Sequence, residues 1–229
     1  MTDTPAQKIA LVTGASRGIG AATALALATA GHHVILTGRN EKDLAAVEGK
    51  IHGLGGTATI APFDLADGDA IDRLAAAIGA RWGRLDILVM NAGMLGTLAP
   101  VAHIDVKEWD KVIGLNLTAN WRLIRAFDPW LRASPAADIV AVTSSVGSKP
   151  RAYWGAYGAS KAALENLITT YGGEVGSVTA IRTHIVDPGA TRTAMRARAF
   201  PGEDPSNVKP PEDAATRIMD AIGAARTPA

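Results

Sequence analysis

Residues 142–161 read V-T-S-S-V-G-S-K-P-R-A-Y-W-G-A-Y-G-A-S-K. Tyr157 and Lys161 stand four apart, and on a helix beginning near Tyr157 that spacing puts a phenol and an ammonium on one face, one turn apart. A cation beside a phenol favours its ionised form and lowers a pKa that is otherwise about 10. Such a tyrosine can exchange a proton with a substrate oxygen near neutral pH. Ser144 and Ser145 end the β-branched run before it, and a serine hydroxyl there could donate a hydrogen bond to the same oxygen. Alone, Y-x-x-x-K also marks many solvated helix faces, so its meaning depends on the rest of the chain.

Residues 14–20, G-A-S-R-G-I-G, place Gly14, Gly18 and Gly20 around Ser16, Arg17 and Ile19. A glycine-rich turn between a buried strand and a helix lets backbone N–H groups and the helix N-terminus meet a pyrophosphate. The spacing is G-x-x-x-G-x-G, not the G-x-G-x-x-G of most dinucleotide folds. An acidic residue ending the second strand would bind ribose hydroxyls and repel a 2′-phosphate. That place falls to Gly38, with Arg39 next to it and Arg17 in the glycine turn. Two guanidiniums near one phosphate favour NADP(H), with NAD(H) still possible; the plainer reading leaves both arginines as solvated surface.

With Thr13-Gly14-x-x-x-Gly18-x-Gly20, Asn91-Ala92-Gly93, Asn116, Tyr157-x-x-x-Lys161 and Pro188-Gly189 in this order, the sequence resembles the short-chain dehydrogenase/reductase family from about residue 8 to residue 193. The resemblance implies a catalytic set of Asn116, a serine, Tyr157 and Lys161. Tyr157 would be the acid in reduction and the base in oxidation. Lys161 would lower the tyrosine pKa and hold the nicotinamide ribose, and Asn116 would hold a water linking Lys161 to solvent. Family spacing selects Ser144, whereas the small-residue-then-glycine pattern fits Ser145; Ser144 is the choice. Asp64, followed by Leu65, matches the adenine contact, although it could equally serve as a turn or helix-cap residue. Asn91, Ala92 and Gly93 would run beside the adenosine ribose. Pro188, Gly189, Thr191 and Thr193 would approach the pyrophosphate or carboxamide.

The elements that must position these residues alternate. Strands are expected over residues 8–13, 33–37, 57–62, 85–90, 138–143 and 180–186. Helices are expected over 19–30, 41–50, 67–82, 108–132 (with a kink near Pro129), 157–171 and 211–222. Such alternation argues an α/β fold, a doubly wound Rossmann-type parallel sheet with helices on both faces. One domain over 1–229 is expected. Relatives in this family usually add a seventh strand; residues 221–229 offer none, so a sheet of about six strands and a homodimer, not a tetramer, are expected. Trp109, Trp121 and Trp130 fall on one helix and suit packing or a subunit interface.

At 229 residues, 48% of them apolar, the chain can bury a large core. A net charge of +1 leaves no footprint for nucleic acid or an anionic membrane. There is no cysteine, and the five histidines are scattered without ligand spacing, so neither a disulfide nor a metal site is expected. The first eight residues lack a leader pattern, and a cytoplasmic setting is expected. Residues 194–209 should cover the substrate. There Met195 and Phe200 could line an apolar pocket, while Arg192, Arg196 and Arg198 could meet an anion or simply face solvent. The overall expectation is an NADP(H)-dependent enzyme that moves hydride between nicotinamide and a carbonyl or secondary alcohol. The alternatives are a 3-oxoacyl thioester reductase, or a non-catalytic protein on the same fold.

Overall fold

A computed structural model describes residues 7–224. Residues 1–6, read above for a leader, and 225–229, the end of the segment read for a seventh strand, lie outside the described residues. Six strands, β1 (Ile9–Thr13), β2 (His33–Gly38), β3 (Thr57–Pro62), β4 (Ile87–Met90), β5 (Asp138–Val142) and β6 (Arg182–Val186), form one sheet in the order β3-β2-β1-β4-β5-β6. Every pairing is parallel. The central strands are short runs of aliphatic residues because both their faces are covered.

Side-chain alternation divides the core. Ile9, Leu11, Ile35, Leu88, Met90, Ile139 and Ala141 face one cluster. Their neighbours Ala10, Val12, Val34, Leu36, Val89, Val140 and Val142 face the other. On the first face pack α3 (Gly68–Trp82), α5 (Ala119–Arg132) and α7 (Gly155–Val175), through residues such as Ile71, Phe127 and Leu164. On the second pack α1 (Gly18–Thr29), α2 (Glu41–Gly53) and α9 (Pro211–Gly223), through Leu27, Leu44 and Ile218. Each such side chain, fully buried, contributes about 1.5–3 kcal/mol. The helix starts are set locally: the side chains of Asn40 and Asp67 accept from Asp43 N and Ala70 N.

The long helix expected over 108–132 divides into α4 (Val106–Ile113), a wide π turn at Gly114–Thr118, and α5. The irregularity lies at this turn, not at Pro129, past which α5 runs unbroken to Arg132. The widened turn is held by polar groups: Asn120 Nδ2 donates to the Asn116 carbonyl at 2.7 Å, and the Asn116 side chain leaves the helix altogether. Two short helices missed from sequence, α6 (Ser145–Ser148) and α8 (Ala194–Ala199), occupy loops at the strands' C-terminal ends.

At the opposite end, Arg182 closes the fold. Its guanidinium reaches Asp138 Oδ1 (2.9 Å) and the carbonyls of Ile222 (2.8 Å) and Ala224 (2.7 Å), capping the C-terminus of α9. Beyond β6 no further strand pairs among the described residues. Among those residues, no helix is long and apolar enough to cross a membrane.

Candidate active site

The loops following the C-terminal ends of the strands enclose a cleft of about 1220 Å³, where open parallel sheets bind their ligands. The first wall is the glycine turn. Gly14 and Gly18 take positive φ of 64° and 55°, conformations that other residues adopt only at a cost. Gly20 differs from the expectation, because it does not line the cleft. A Cβ there would overlap the Gly14 carbonyl and come within 2.5 Å of Asn91 Nδ2, so Gly20 lets α1 pack directly under the turn. Gly14, Ser16, Arg17, Gly18 and Ile19 do line the cleft.

Thr13 ties this wall to the next. Its hydroxyl accepts from Asn91 N and Ala92 N, both at 3.0 Å, and donates to Val89 O. Asn91 in turn donates from Nδ2 to Thr13 O (2.9 Å) and Gly14 O (3.3 Å). Asn91 therefore lines the cleft while its amide is spent on the scaffold. Asp64 shows both of its possible roles: it lines the cleft beside Leu65, and its Oδ1 accepts from Ala66 N at 3.0 Å as a turn residue does. Ala92, Gly93, Pro188, Gly189, Thr191 and Thr193 complete this half.

Gly38 and Arg39 border the same space as Ser16 and Arg17, since Ala15 N is bonded to Thr37 O at 3.0 Å. Arg17 and Arg39 make no ion pair among the described residues. A Cβ on Gly38 would meet Ser16 Oγ at 3.8 Å and Leu44 Cδ2 at 3.6 Å, ordinary contacts.

Deeper in, α7 presents Tyr157 and Lys161 to the cleft from one face. Burial pushes the phenol up to about 12, the neighbouring Ser144 hydroxyl opposes that rise, and the negative charge of Asp187 adds to it. The expected depression by Lys161 is not found. The ammonium lies 5.8 Å from the phenol ring centre, held by the Val142 carbonyl at 2.7 Å, and desolvation dominates. The same burial lowers Lys161 to about 8, with Glu165 partly restoring its charge. Glu165 sits one turn beyond Lys161 and accepts a hydrogen bond from the Thr143 hydroxyl. Ser144 lines the cleft; Ser145 opens α6 and does not.

Asn116 is fully buried and does not line the cleft. Its Oδ1 accepts from Met94 N (2.8 Å), and its Nδ2 donates to Met94 O and Ser160 Oγ, both at 2.9 Å. Ser160 passes the link on to the Tyr157 carbonyl at 2.7 Å. A Cβ on Gly93 would stand 3.2 Å from Asn116 Oδ1 and 3.7 Å from Lys161 Nζ, so amide and amine border one small space.

Several residues of the site escaped the sequence reading. Trp154 lines the cleft three residues before Tyr157, and its proximity to the phenol in the chain was the available signal. Glu165, four residues after Lys161, could have been found from the same helical spacing that paired Tyr157 with Lys161. Of the three lid arginines, Arg192 and Arg196 line the cleft, Arg196 is also paired with Glu203 at 2.5 and 2.7 Å, and Arg198 is exposed. Met195 and Phe200 line the cleft as expected.

Known proteins place this geometry. Residues 8–204 match the family model described as short chain dehydrogenase. The oxidoreductase YciK of Escherichia coli K12 is 40% identical over 209 residues, covering 90% of this chain and 82% of its own. A short chain dehydrogenase structure from Pseudomonas syringae superposes with a TM-score of 0.91 at 41% identity, over 94% of this chain and 88% of that one. A short chain dehydrogenase from Escherichia coli CFT073, crystallised with NADPH, gives 0.90 at 39% identity, over 94% and 90%. Motif order, sheet order and these likenesses agree, and the chain belongs to the short-chain dehydrogenase/reductase family of oxidoreductases.

Proposed function

We propose that the chain is one NADP(H)-binding domain that reduces a carbonyl compound to the alcohol, and that it runs more readily in this direction than in oxidation. The observation that carries this reading is Tyr157, a protonated phenol at the cleft floor with Ser144 beside it and Lys161 one turn away. Burial keeps this phenol protonated, so it stands in the cleft as the group that can give a proton to a carbonyl oxygen.

The cleft fits the cofactor. Gly14 and Gly18 bare the backbone where a pyrophosphate needs N–H donors, and Arg17 and Arg39 leave two guanidiniums free for a 2′-phosphate. When bound, NADPH supplies the hydride that reduces the carbonyl carbon and leaves as NADP⁺. Tyr157 gives its proton to the carbonyl oxygen, and Ser144 donates a hydrogen bond to that oxygen. Lys161 holds ribose hydroxyls, and Asn116, through Met94 and Ser160, fixes α7 against the loop after β4. Asp64, Leu65, Asn91, Ala92, Gly93, Pro188, Gly189 and Thr191 shape the adenosine and pyrophosphate path. The NADPH complex of the Escherichia coli CFT073 relative supports the cofactor choice.

The test is equilibrium binding of NADPH and NADH side by side, for the wild type and for Arg17→Ala with Arg39→Ala. Tighter NADPH binding that the double variant equalises is expected. Preference for NADH, or an unchanged ratio in the variant, overturns the charge argument. Alanine at Ser144 should lower turnover by orders of magnitude, and alanine at Ser145 should not. The exposed Trp109 and Trp121, on α4 and α5, form the surface for a second copy; sedimentation as a monomer would remove that assignment.

A further inference from the structure

Beyond Tyr157 the cleft is bounded by two more rings. The Trp154 ring centre lies 6.0 Å from that of Tyr157, edge on, and the Phe200 ring lies 5.7 Å from Trp154. All three residues line the cleft, together with Met94, Leu95 and Met195. Two separate devices hold this wall in place. From the α7 side, Tyr153 adopts a φ of 73°, a left-handed conformation rare for a tyrosine. Its carbonyl accepts from Ala99 N at 3.1 Å, and Trp154 bridges to Ala99, so the backbone directs Trp154 into the cleft.

From the lid side, Phe200 lies between two guanidiniums, Arg196 at 3.6 Å and Arg151 at 4.9 Å from its ring centre. Arg151 also sits 5.5 Å from the Trp154 ring. Glu203 neutralises Arg196 through two hydrogen bonds. Arg196 therefore serves as a flat plate on the ring and is not a free anchor for an anion. An anionic substrate would find the Arg196 guanidinium already occupied by Glu203.

Resting on the reductase reading above, we propose that Trp154 and Phe200, clamped by Arg151 and Arg196, form a selecting wall that favours carbonyl compounds bearing a flat ring on the carbonyl carbon. A planar ring can meet these two rings in offset or edge-to-face contact while the carbonyl oxygen reaches Tyr157. An open chain covers the same wall less well and loses rotamer freedom in doing so.

The experiment measures kcat/KM for acetophenone and for 2-butanone at saturating NADPH, in the wild type, Trp154→Leu, Phe200→Leu and Arg151→Met. The wild type should prefer acetophenone by about tenfold or more, and each leucine variant should lower that ratio about tenfold. The exposed Arg151→Met change, the safest for folding, should lower it about threefold. Acetophenone affinity for the NADP⁺-loaded protein, measured by calorimetry, should weaken in parallel, with NADPH affinity unchanged. Ratios unaltered by all three changes, or a wild type that prefers 2-butanone, overturn the wall. A protein that neither binds NADPH nor oxidises it with any carbonyl overturns the reductase reading, and this inference with it.

Discussion

A side chain at position 38 would find ordinary contact distances to Ser16 and Leu44, so space does not demand the glycine there, and the proposed 2′-phosphate site makes charge the property to test. Gly38→Asp should fold normally and put a carboxylate where a 2′-phosphate would lie. Two like charges about 4 Å apart cost about 1–4 kcal/mol across the range from water to a protein surface. NADPH affinity should fall tenfold or more while NADH affinity rises; equal losses for both would show that position 38 is remote from the ribose. The second prediction at this scale concerns pH. Lys161 is held at about 8 by burial, with Glu165 pulling upward. Its ammonium disappears as pH rises through that value, so kcat/KM for reduction should fall above about pH 8. Removing the carboxylate in Glu165→Gln removes the upward pull and should move the fall to lower pH; an unmoved profile would detach Glu165 from Lys161. That Tyr157, Lys161, Arg17 and Arg39 share one cleft was legible from the order of the motifs together, not from any one spacing. The pKa of Tyr157 was not, because desolvation belongs to everything packed around the phenol and has no signature in neighbouring letters.

At the scale of elements, every strand in the sheet was foreseen to within two residues, because buried parallel strands write themselves as uninterrupted apolar runs between turns. The long helix before β5 was foreseen but its break was misplaced. Pro129 was the visible breaker, yet the irregularity is the π turn at Gly114–Thr118, where Asn116 bonds to Met94 and Ser160, partners 22 and 44 residues away. No local pattern could show that. The glycine turn is the reverse case, since its spacing gave its shape. There Gly20 is the sensitive point: Gly20→Ala drives a methyl group into the Gly14 carbonyl and Asn91. Overpacking of this kind costs about 1–3 kcal/mol, so the urea midpoint should drop and nucleotide binding should weaken with it. Unchanged stability would mean that α1 can slide away from the turn at no cost. In the lid, Met195 and Phe200 were legible as cleft-lining residues, but the Arg151 guanidinium over the Phe200 ring was not, since it comes from 49 positions earlier in the chain.

For the whole molecule, the strand order β3-β2-β1-β4-β5-β6 gathers loops from residue 14 to residue 211 around one cleft. α9 is bound to β6 by Arg182 at the far end, so the last described helix is anchored on the same sheet that carries the first glycine turn. The cleft therefore touches the connection that follows each of the six strands. In the terms of binding linkage, a molecule that occupies it has affinity for the folded chain alone and acts as a reversible cross-link spanning almost the full sequence. NADPH at a hundredfold excess over its Kd should add about 2.7 kcal/mol to unfolding. For a chain of this length that corresponds to a rise of about 5–10 °C in Tm. At the same concentration NADH should give a smaller rise, so the melting temperature of the folded chain becomes a direct reading of the charge placed by Arg17 and Arg39.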